Sequence, residues 1–446
     1  MERQQIKIPS AAAKVLSMLE NAGYEAWCVG GCVRDALRGT EPHDWDICTS
    51  AMPEETLKVF AHFRTIPTGL KHGTVTVIVY GELIEITTYR CDGDYSDHRR
   101  PDSVTFVRDI KSDLERRDFT MNAICLGLNG KIYDPFGGAD DIKKGIIRCV
   151  GEPEKRFDED ALRILRAIRF KAKTGFEIEE KTARAAVEMR ALLDNVSAER
   201  ILSELRSMLV QPFAGKVLRE HREIIAQIIP EAEPCFGFDQ HNIHHCYDVW
   251  EHIAYSVDAI EPDETLRIVM LFHDMGKPQK FTLDENGVGH FKLHQLASAD
   301  IAEAVLTRLR SDTATRKRAA ALIKEHDDRI PPTKKSVRRF ISKYDYDFFS
   351  DYIKVRRADT LAQSDFEREK KLGELEDLVR VAEELRAEDS CLKISQLKIN
   401  GKDLMALGYT GKEIGDELER LLSAVIEEEL ENEHDALMES SEKRRR

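Results

Sequence analysis

The first 150 residues alternate short apolar runs with polar turns, which is the pattern of a small sheet. After a predicted helix at residues 10–22, apolar and β-branched residues cluster in short segments that glycine, proline and aspartate separate. Each segment has the length and composition of a strand. The predicted strands lie at residues 25–29, 45–48, 74–79 and 83–89. This part of the chain is therefore expected to form an α/β head.

The apolar period changes near residue 150. Leu162, Leu165 and Ile168 recur at helical spacing, and the helical pattern is continuous from residue 158 onward. The pattern predicts four parts of the chain. They are an α/β head at 1–150, an all-α neck at 151–235, a histidine-rich helical body at 236–363 and an acidic helical tail at 364–446.

The charge balance limits the kinds of partner. Hydrophobic residues make up 42% of the chain and charged residues 33%, which is typical of a globular protein. Lys+Arg 67 against Asp+Glu 81 gives a net charge of −14, which excludes a generally basic coat for nucleic acid. From Ser364 onward there are 23 acidic and 14 basic residues, so the rest of the chain is close to neutral. A local basic groove for nucleic acid is compatible with that balance.

Compartment is indicated by the cysteines and by the apolar stretches. Nine scattered cysteines without zinc-finger spacing are typical of reduced thiols. The first residues lack the pattern of a signal peptide, and there is no run of about 18 apolar residues that would predict a membrane span. We therefore expect a cytoplasmic protein that does not interact with a membrane.

Two adjacent glycines, Gly30 and Gly31, lie between a predicted strand and a predicted helix. Their main-chain amides and the helix N-terminus would allow an anion to approach closely, and Arg34 on the first turn would bind a phosphate oxygen. Taken alone, a Gly-Gly turn is more often a hairpin or a helix cap.

A pair of carboxylates follows. Asp44 and Asp46 stand two positions apart in a predicted strand, so their side chains are expected on one face. Like charges so placed repel unless a divalent cation lies between them, and oxygen ligands suit Mg²⁺. Two such ions could stabilise the attacking and leaving oxygens of a phosphoryl displacement. Glu85 would supply a third catalytic carboxylate, or would face water from an edge strand.

Two arginines, Arg116 and Arg117, precede a predicted helix. We expect Arg117 to contact the triphosphate or the base of a nucleotide. An ordinary Arg-Asp ion pair is the alternative.

These residues carry a family resemblance. Residues 29–49 resemble the nucleotidyltransferase signature of class II tRNA CCA-adding enzymes and their bacterial poly(A) polymerase relatives. Residues 116–123 and 158–170 are similar to two further motifs of that family, in the expected order, and residues 398–415 to the end of its longer bacterial members. The resemblance implies a polymerase-β-like head that uses Mg²⁺. It implies CTP, ATP and the tRNA 3′ end as partners, and no DNA.

The segment that begins at Asp160 is expected to read the base. Asp160 and Arg163 stand three apart in a predicted helix, where an ion pair would fix both side chains. A carboxylate accepts and a guanidinium donates, so the pair could recognise the edge that cytosine and adenine share and reject uracil and guanine. Arg166 and Arg169 continue the row and could contact phosphate. An exposed face with i,i+3 ion pairs is the alternative.

The polar segment at residues 90–101 has the composition of a mobile surface loop. It resembles the flexible loop of family members that add the terminal adenosine. The resemblance favours A addition over an enzyme that adds only cytidines.

The helical body contains an ordered series of imidazoles and carboxylates. The series is His252, His273, Asp274, His294, His326 and Asp359. It resembles the HD phosphohydrolase superfamily, including its variant that holds two metals. Mixed imidazole and carboxylate ligands tolerate Mn²⁺, Co²⁺ or Ni²⁺.

Within that series, His252, His273, Asp274 and Asp359 are expected to form the principal metal set. His294 and His326 would complete a second position. The alternative is a retained HD scaffold that docks RNA without turnover. The nearby histidines are interpreted as loop residues; they are His241, His244 and His245.

The leading hypothesis is a template-independent nucleotidyltransferase that builds or repairs the CCA end of tRNA. An A-adding enzyme or poly(A) polymerase with the same head is the alternative within the class. A metal phosphohydrolase with an RNA-binding head is a second alternative, and a non-catalytic RNA-binding protein is a third.

Overall fold

The computed structural model describes residues 6–93, 104–388 and 390–445. Its contacts divide the chain into two compact units, Met1–Pro230 and Glu231–Arg446, which are described separately. The predicted division into four parts stays a prediction. Most of the loop predicted at residues 90–101 lies outside the described residues.

The strands of the first unit are short. They are β1 (Ala26–Val29), β2 (Ile47–Thr49), β3 (Thr65–Gly69), β4 (Thr74–Val79), β5 (Glu82–Thr88), β6 (Arg90–Asp92), β7 (Val104–Phe106), β8 (Cys125–Leu126), β9 (Ile132–Tyr133), β10 (Ile146–Ile147) and β11 (Glu177–Ile178). Seven of them form a mixed sheet in the order β3-β4-β5-β2-β1-β8-β9, in which β2 and β5 are parallel and the other neighbours antiparallel.

The helices of the first unit precede, cover and follow this sheet. They are α1 (Ser10–Asn21), α2 (Gly31–Leu37), α3 (Pro53–Val59), α4 (Ile110–Glu115), α5 (Gly138–Lys144), α6 (Pro153–Glu159), α7 (Leu162–Thr174), α8 (Glu180–Glu188), α9 (Ala198–Leu209), α10 (Ala214–Glu220) and α11 (Arg222–Ile228). The predicted α/β head with a helical continuation is confirmed.

The hairpin of β4 and β5 illustrates why the sheet forms here. Val75, Val77 and Val79 alternate with more exposed residues and are completely buried, as expected for a strand with one face on the core. Tyr80 and Gly81 join the strands with φ of 53° and 88°. Positive φ at both central residues matches the twist of a two-residue hairpin.

The helix predicted to run on without interruption from residue 158 is broken. Helix α6 ends at Glu159, Asp160 is extended with φ −142° and ψ 100°, and α7 starts at Leu162. The Asp160 carboxylate accepts a hydrogen bond from the Leu162 amide at 3.2 Å. The side chain thus satisfies one of the amides that a helix N-terminus leaves without a partner.

The second unit is almost entirely helical. Its helices are α12 (Val249–Ala259), α13 (Glu264–Phe272), α14 (Lys277–Lys280), α15 (His294–Arg308), α16 (Thr313–Glu325), α17 (Lys334–Lys343), α18 (Tyr346–Leu361), α19 (Arg368–Ala387), α20 (Gly401–Ala406), α21 (Lys412–Ile426) and α22 (His434–Arg445), with a hairpin of β12 (Thr282–Leu283) and β13 (Gly289–His290). Among the described residues, no helix has both the length and the apolar character needed to cross a bilayer.

Candidate functional site

A polar cleft of about 260 Å³ opens on the central strands of the head sheet. Two carboxylates, Asp46 and Glu85, line it together with three cations. Strand β5 lies between β4 and β2, so Glu85 is not on an edge strand. The cations that line the cleft are Arg90, Arg116 and Arg117.

The predicted carboxylate pair lies just before a strand rather than within it. Asp44 and Asp46 precede β2, and the Asp46 carbonyl accepts a hydrogen bond from Val29 of β1 at 3.0 Å. Desolvation in the cleft raises the pKa of Asp46, and the charge of Glu85 and then of Asp44 raises it further, whereas Arg117 opposes the rise. The three carboxylates therefore repel one another, and a cation bound among them would relieve that repulsion.

These donors fit Mg²⁺, which prefers a few carboxylates and completes its coordination with water and phosphate oxygens. In the described part of the chain, the ligand atoms of Asp44, Asp46 and Glu85 do not all lie within 4.8 Å of one another. Substrate oxygens would have to complete such a site.

Gly30 is required beside this cleft for two reasons. Its φ is 80°, a conformation that side chains rarely adopt, and a Cβ atom there would lie 3.2 Å from Nη1 of Arg117. Helix α2 begins immediately afterwards at Gly31. The Gly-Gly turn therefore both starts the helix and makes room for the arginine.

Arg34 lies in α2, as predicted, and its side chain has partners within the protein. It is buried and binds Asp35 with Nε at 2.8 Å and Nη2 at 2.9 Å, while Nη1 donates to Asn122 at 2.8 Å. Contact with a phosphate would require these bonds to break. The predicted phosphate contact stays a prediction.

Arg117 forms an ion pair, but not with Asp118, its neighbour in sequence. Its Nη2 lies 3.2 Å from Asp113 of α4. Burial disfavours the charge of Arg117, but the Asp113 carboxylate outweighs this and raises the pKa of Arg117. The arginine remains cationic at the wall of the cleft.

The predicted ion pair between Asp160 and Arg163 is wrong. The break between α6 and α7 turns Asp160 toward α9, where Arg200 Nη2 lies 2.9 Å from its carboxylate. Arg163 is buried and instead binds Glu159 at 2.8 Å. The i,i+3 rule applies only within one helix, and these residues are not in one helix.

Arg166 and Arg169 stiffen the helical part of the first unit. Arg166 binds Asp118 at 2.6 Å, and Arg169 binds Glu204 at 2.5 Å. Burial raises the pKa of Asp118, but Arg166 and a hydrogen bond from Asn122 outweigh it and lower that pKa to about 2. Both arginines also lie near the ring of Phe170, 5.3 and 4.4 Å from its centroid. The predicted phosphate contacts of Arg166 and Arg169 remain predictions.

The second unit contains the most concentrated set of metal-ligand atoms among the described residues. Two groups have ligand atoms within 4.8 Å of one another, and Asp274 belongs to both. They are His252, His273, Asp274 and Asp359, and Asp274, His294 and His326. The residues and their division into two groups are those predicted from the sequence. Whether they bind metal stays a prediction.

Asp274 lies between the two groups. Its Oδ2 is 3.1 Å from His252 Nε2 and 3.4 Å from His273 Nε2. Its Oδ1 is 3.1 Å from His294 Nε2 and 3.6 Å from His326 Nε2. One carboxylate therefore offers one oxygen to each position, as a bridging ligand would.

Main-chain carbonyls orient all four imidazoles. The Nδ1 atoms donate to the carbonyls of Ala362, Met270, Phe291 and Ile323, for His252, His273, His294 and His326 respectively, at 2.7–3.1 Å. Since a carbonyl only accepts, each Nδ1 carries a proton and each Nε2 faces the cluster centre. Metal-binding histidines are commonly held in this way.

The Nε2 atoms of His252 and His273 lie 3.1 Å apart, which needs a proton or a cation between them. Burial lowers the pKa of His252, but Asp274 and Asp359 outweigh it and raise that pKa to about 9. A metal cation bound through the Nε2 atoms would supply the same positive charge in place of that proton. The donor set fits a transition metal, because it combines imidazole nitrogens with carboxylate oxygens.

Some polar residues at the head cleft or at the histidine cluster were not predicted from the sequence. Asp113 is one, because nothing in its local pattern distinguishes it. Lys277, which binds Asp274 at 2.7 Å, stands three residues after it and could have been found from that spacing. His245, interpreted as a loop residue, lines the cleft of about 340 Å³ over the histidine cluster. Gln363 holds Asp359 at 3.0 Å from one helical turn away.

Three family models match separate parts of this chain. A family model described as Poly A polymerase head domain matches residues 26–148. A model described as Probable RNA and SrmB-binding site of polymerase A matches residues 175–236, and one for tRNA nucleotidyltransferase domain 2 matches residues 294–440.

Curated relatives match about half of this chain. A CCA-adding enzyme of Lactobacillus helveticus is 51% identical over 216 residues, which cover 48% of this chain and 54% of that protein. One of Geobacillus stearothermophilus is 50% identical over 207 residues, covering 46% and 51%. The chain thus spans about half the length of the curated relatives it matches.

Solved structures match over nearly the whole length. The crystal structure of the Bacillus stearothermophilus CCA-adding enzyme in complex with CTP is 30% identical, with a TM-score of 0.76 over 98% of this chain and 97% of that one. A Thermotoga maritima CCA-adding enzyme complexed with tRNA is 22% identical with a TM-score of 0.57, which shows the shared fold alone.

The fold is that of a nucleotidyltransferase. It combines the mixed sheet, the Gly-Gly turn and the polar cleft with a helical body. More specifically, the chain belongs to the family of CCA-adding enzymes.

Proposed function

We propose that this protein is a template-independent tRNA nucleotidyltransferase that adds or repairs the 3′-terminal CCA with CTP and ATP, in the cytoplasm. The observation that carries the proposal is the cleft that Asp46 and Glu85 line together with Arg116 and Arg117. The carboxylates that line the cleft suit Mg²⁺, and the arginines that line it suit a triphosphate.

In the proposed reaction, the 3′-hydroxyl oxygen of the tRNA forms a bond to the α-phosphorus of the nucleotide. The hydroxyl proton passes to water, the bond from that phosphorus to the oxygen that bridges it to the β-phosphorus breaks, and pyrophosphate leaves. Asp44 and Asp46 would hold Mg²⁺, which stabilises the attacking and leaving oxygens when bound. Glu85 adds negative charge in the same cleft.

Recognition of cytosine and adenine is proposed for the start of the helical neck. Asp160 is held by Arg200 at 2.9 Å, and Arg163 by Glu159 at 2.8 Å, so both side chains are fixed before a base arrives. Pre-fixed donors and acceptors discriminate between base edges better than mobile ones. The two residues would then read an edge separately rather than as a mutual pair.

Incorporation of each of the four nucleoside triphosphates into tRNA that ends before, within and after CCA would test this proposal. We expect the tRNA that ends before CCA to receive two cytidines and then one adenosine. We expect addition to stop once CCA is complete. Addition of adenosine alone, or of a long adenosine tract, would favour an A-adding enzyme or poly(A) polymerase, the alternative within the family.

A second function is proposed for the histidine cluster because Asp274 offers one oxygen to each of two ligand groups. Two ions about 4 Å apart could activate water for attack on a phosphoester, so that water adds to phosphorus and the ester oxygen leaves as alcohol. The ligand types suit Mn²⁺, Co²⁺ or Ni²⁺. A phosphatase and phosphodiesterase screen with each ion tests it; inactivity with every ion would leave the cluster a scaffold.

A further inference from the structure

A buried carboxylate binds two arginines in the wall of the head cleft. Asp113 of α4 is completely buried. Its Oδ1 accepts from Arg116 Nη2 at 2.7 Å and Nε at 3.1 Å, and its Oδ2 accepts from Arg117 Nη2 at 3.2 Å. One carboxylate thus anchors two guanidinium groups.

Both arginines reach the cleft from this anchor. Their side chains are 17% and 20% exposed, so only a small part of each faces solvent. Arg117 also fills the space that Gly30 leaves free, since a Cβ there would lie 3.2 Å from its Nη1. The two arginines are therefore held in place by the buried Asp113 carboxylate.

Both guanidinium groups that Asp113 holds also line the cleft. A strongly anionic ligand is the natural complement of such a wall, and charge-assisted bonds from arginine to phosphate are strong. An arginine that is already held loses less side-chain freedom when phosphate binds.

We propose that Asp113 is a positioning residue that fixes Arg116 and Arg117 so that they bind the triphosphate of the incoming nucleotide. The inference rests on the proposed nucleotidyl transfer, because it identifies which part of that substrate the wall receives. Asp113 itself does not touch the substrate. Its effect is on nucleotide binding rather than on the chemical step.

The test compares Asp113→Asn with Asp141→Asn in the full-length protein. Asp141 is a matched control, since it is also buried in the head and binds an arginine, Arg148, at 2.8 Å, but neither residue lines the cleft. We expect Asp113→Asn to raise the KM for CTP and for ATP by about tenfold or more, with a smaller change in kcat. Asp141→Asn should leave both KM values unchanged.

A probe without a base isolates the phosphate contribution. Calorimetric binding of inorganic tripolyphosphate with Mg²⁺ should weaken in Asp113→Asn by about the same factor as KM, and Asp113→Glu should restore part of it. If Asp113→Asn does not fold, Arg117→Gln replaces it, because Arg116 still compensates the carboxylate. Arg117→Gln should weaken tripolyphosphate binding by a similar factor.

Unchanged tripolyphosphate affinity in the folded variants, or a fall in kcat at constant KM, would overturn the inference. A wild-type protein that binds tripolyphosphate through these residues but incorporates no nucleotide would instead contradict the proposed function. The two failures are therefore distinguishable, since the calorimetric measurement does not depend on turnover.

Discussion

Asp160 forms an ion pair with Arg200 at 2.9 Å, across 40 residues of sequence. The pair joins the break between α6 and α7 to helix α9, so the carboxylate is held by a residue outside its own segment. This contact fixes the orientation of the Asp160 carboxylate, and so the direction from which its oxygens can accept a further hydrogen bond. Base selection should therefore depend on both partners.

Substitution of Asp160 by Ala should damage nucleotide selection more than the rate of transfer. Loss of one hydrogen-bonding partner at a base edge is worth about 1–3 kcal/mol of discrimination. The ratio of UTP and GTP incorporation to CTP and ATP incorporation measures it. Arg200→Ala should shift the ratio in the same direction but less. Equal loss of rate for all four nucleotides, with selectivity retained, would refute the role in base reading.

Replacing Asp46 by Ala should abolish transfer of both CMP and AMP while tRNA binding persists. A lost metal ligand removes several kcal/mol of transition-state stabilisation, which is roughly a thousandfold in rate or more. Single-turnover incorporation measures the effect, and filter binding measures tRNA affinity. Asp140→Ala, an exposed acid of the same head, is the control and should retain full activity. Near-normal transfer by Asp46→Ala would exclude the cleft as the site.

The histidine cluster should separate from the head by mutation and by metal. Asp274→Ala should remove phosphoester hydrolysis supported by Mn²⁺, Co²⁺ or Ni²⁺ and spare nucleotide addition supported by Mg²⁺. Asp46→Ala should do the reverse. Metal analysis of the wild type should find up to two ions, and His434→Ala, at an exposed histidine of the same unit that does not line the cleft, serves as control. Loss of both activities in Asp274→Ala would argue against two independent centres.

The pair of Asp118 and Arg166 should stabilise the fold in a pH-dependent way. The folded pKa of Asp118 is lowered to about 2 from an ordinary value of 3.8. Its contribution is thus fully present above about pH 4 and is lost as the pH falls toward 2; its size is about 2 kcal/mol. Urea unfolding at a series of pH values measures this. Asp118→Asn should flatten the curve over that interval; an unchanged slope would contradict the assignment.

Sequence reasoning succeeded where the signal was local. The runs that became β1, β4 and β5 have β-branched residues and turn residues at their ends, and the structure contains strands there. The histidine series converges because each imidazole lies within or directly next to a helix, where apolar spacing determines its direction. Short strands such as β8 and β9, with two residues each, have no pattern of their own.

The features that could not be predicted depend on contacts between distant segments. The apolar spacing did not reveal the break at Asp160, because an aspartate is also found inside helices. Here its carboxylate instead accepts from the first amide of α7 and binds Arg200. Likewise, the hydrogen bond from Arg34 Nη1 to Asn122, 88 residues away, has no signal in the local sequence. Tertiary partners, not local preference, decided both.

The shared carboxylate of the histidine cluster has a consequence for inheritance. A change at codon 274 would remove a ligand from both positions at once, whereas a change at codon 294 or 326 would touch only one. Two positions that could otherwise be lost in separate steps are thus tied to a single genetic event. Loss of this carboxylate should therefore remove the constraint of metal ligation from all four histidines in one step, and leave the constraint that their burial and carbonyl hydrogen bonds impose.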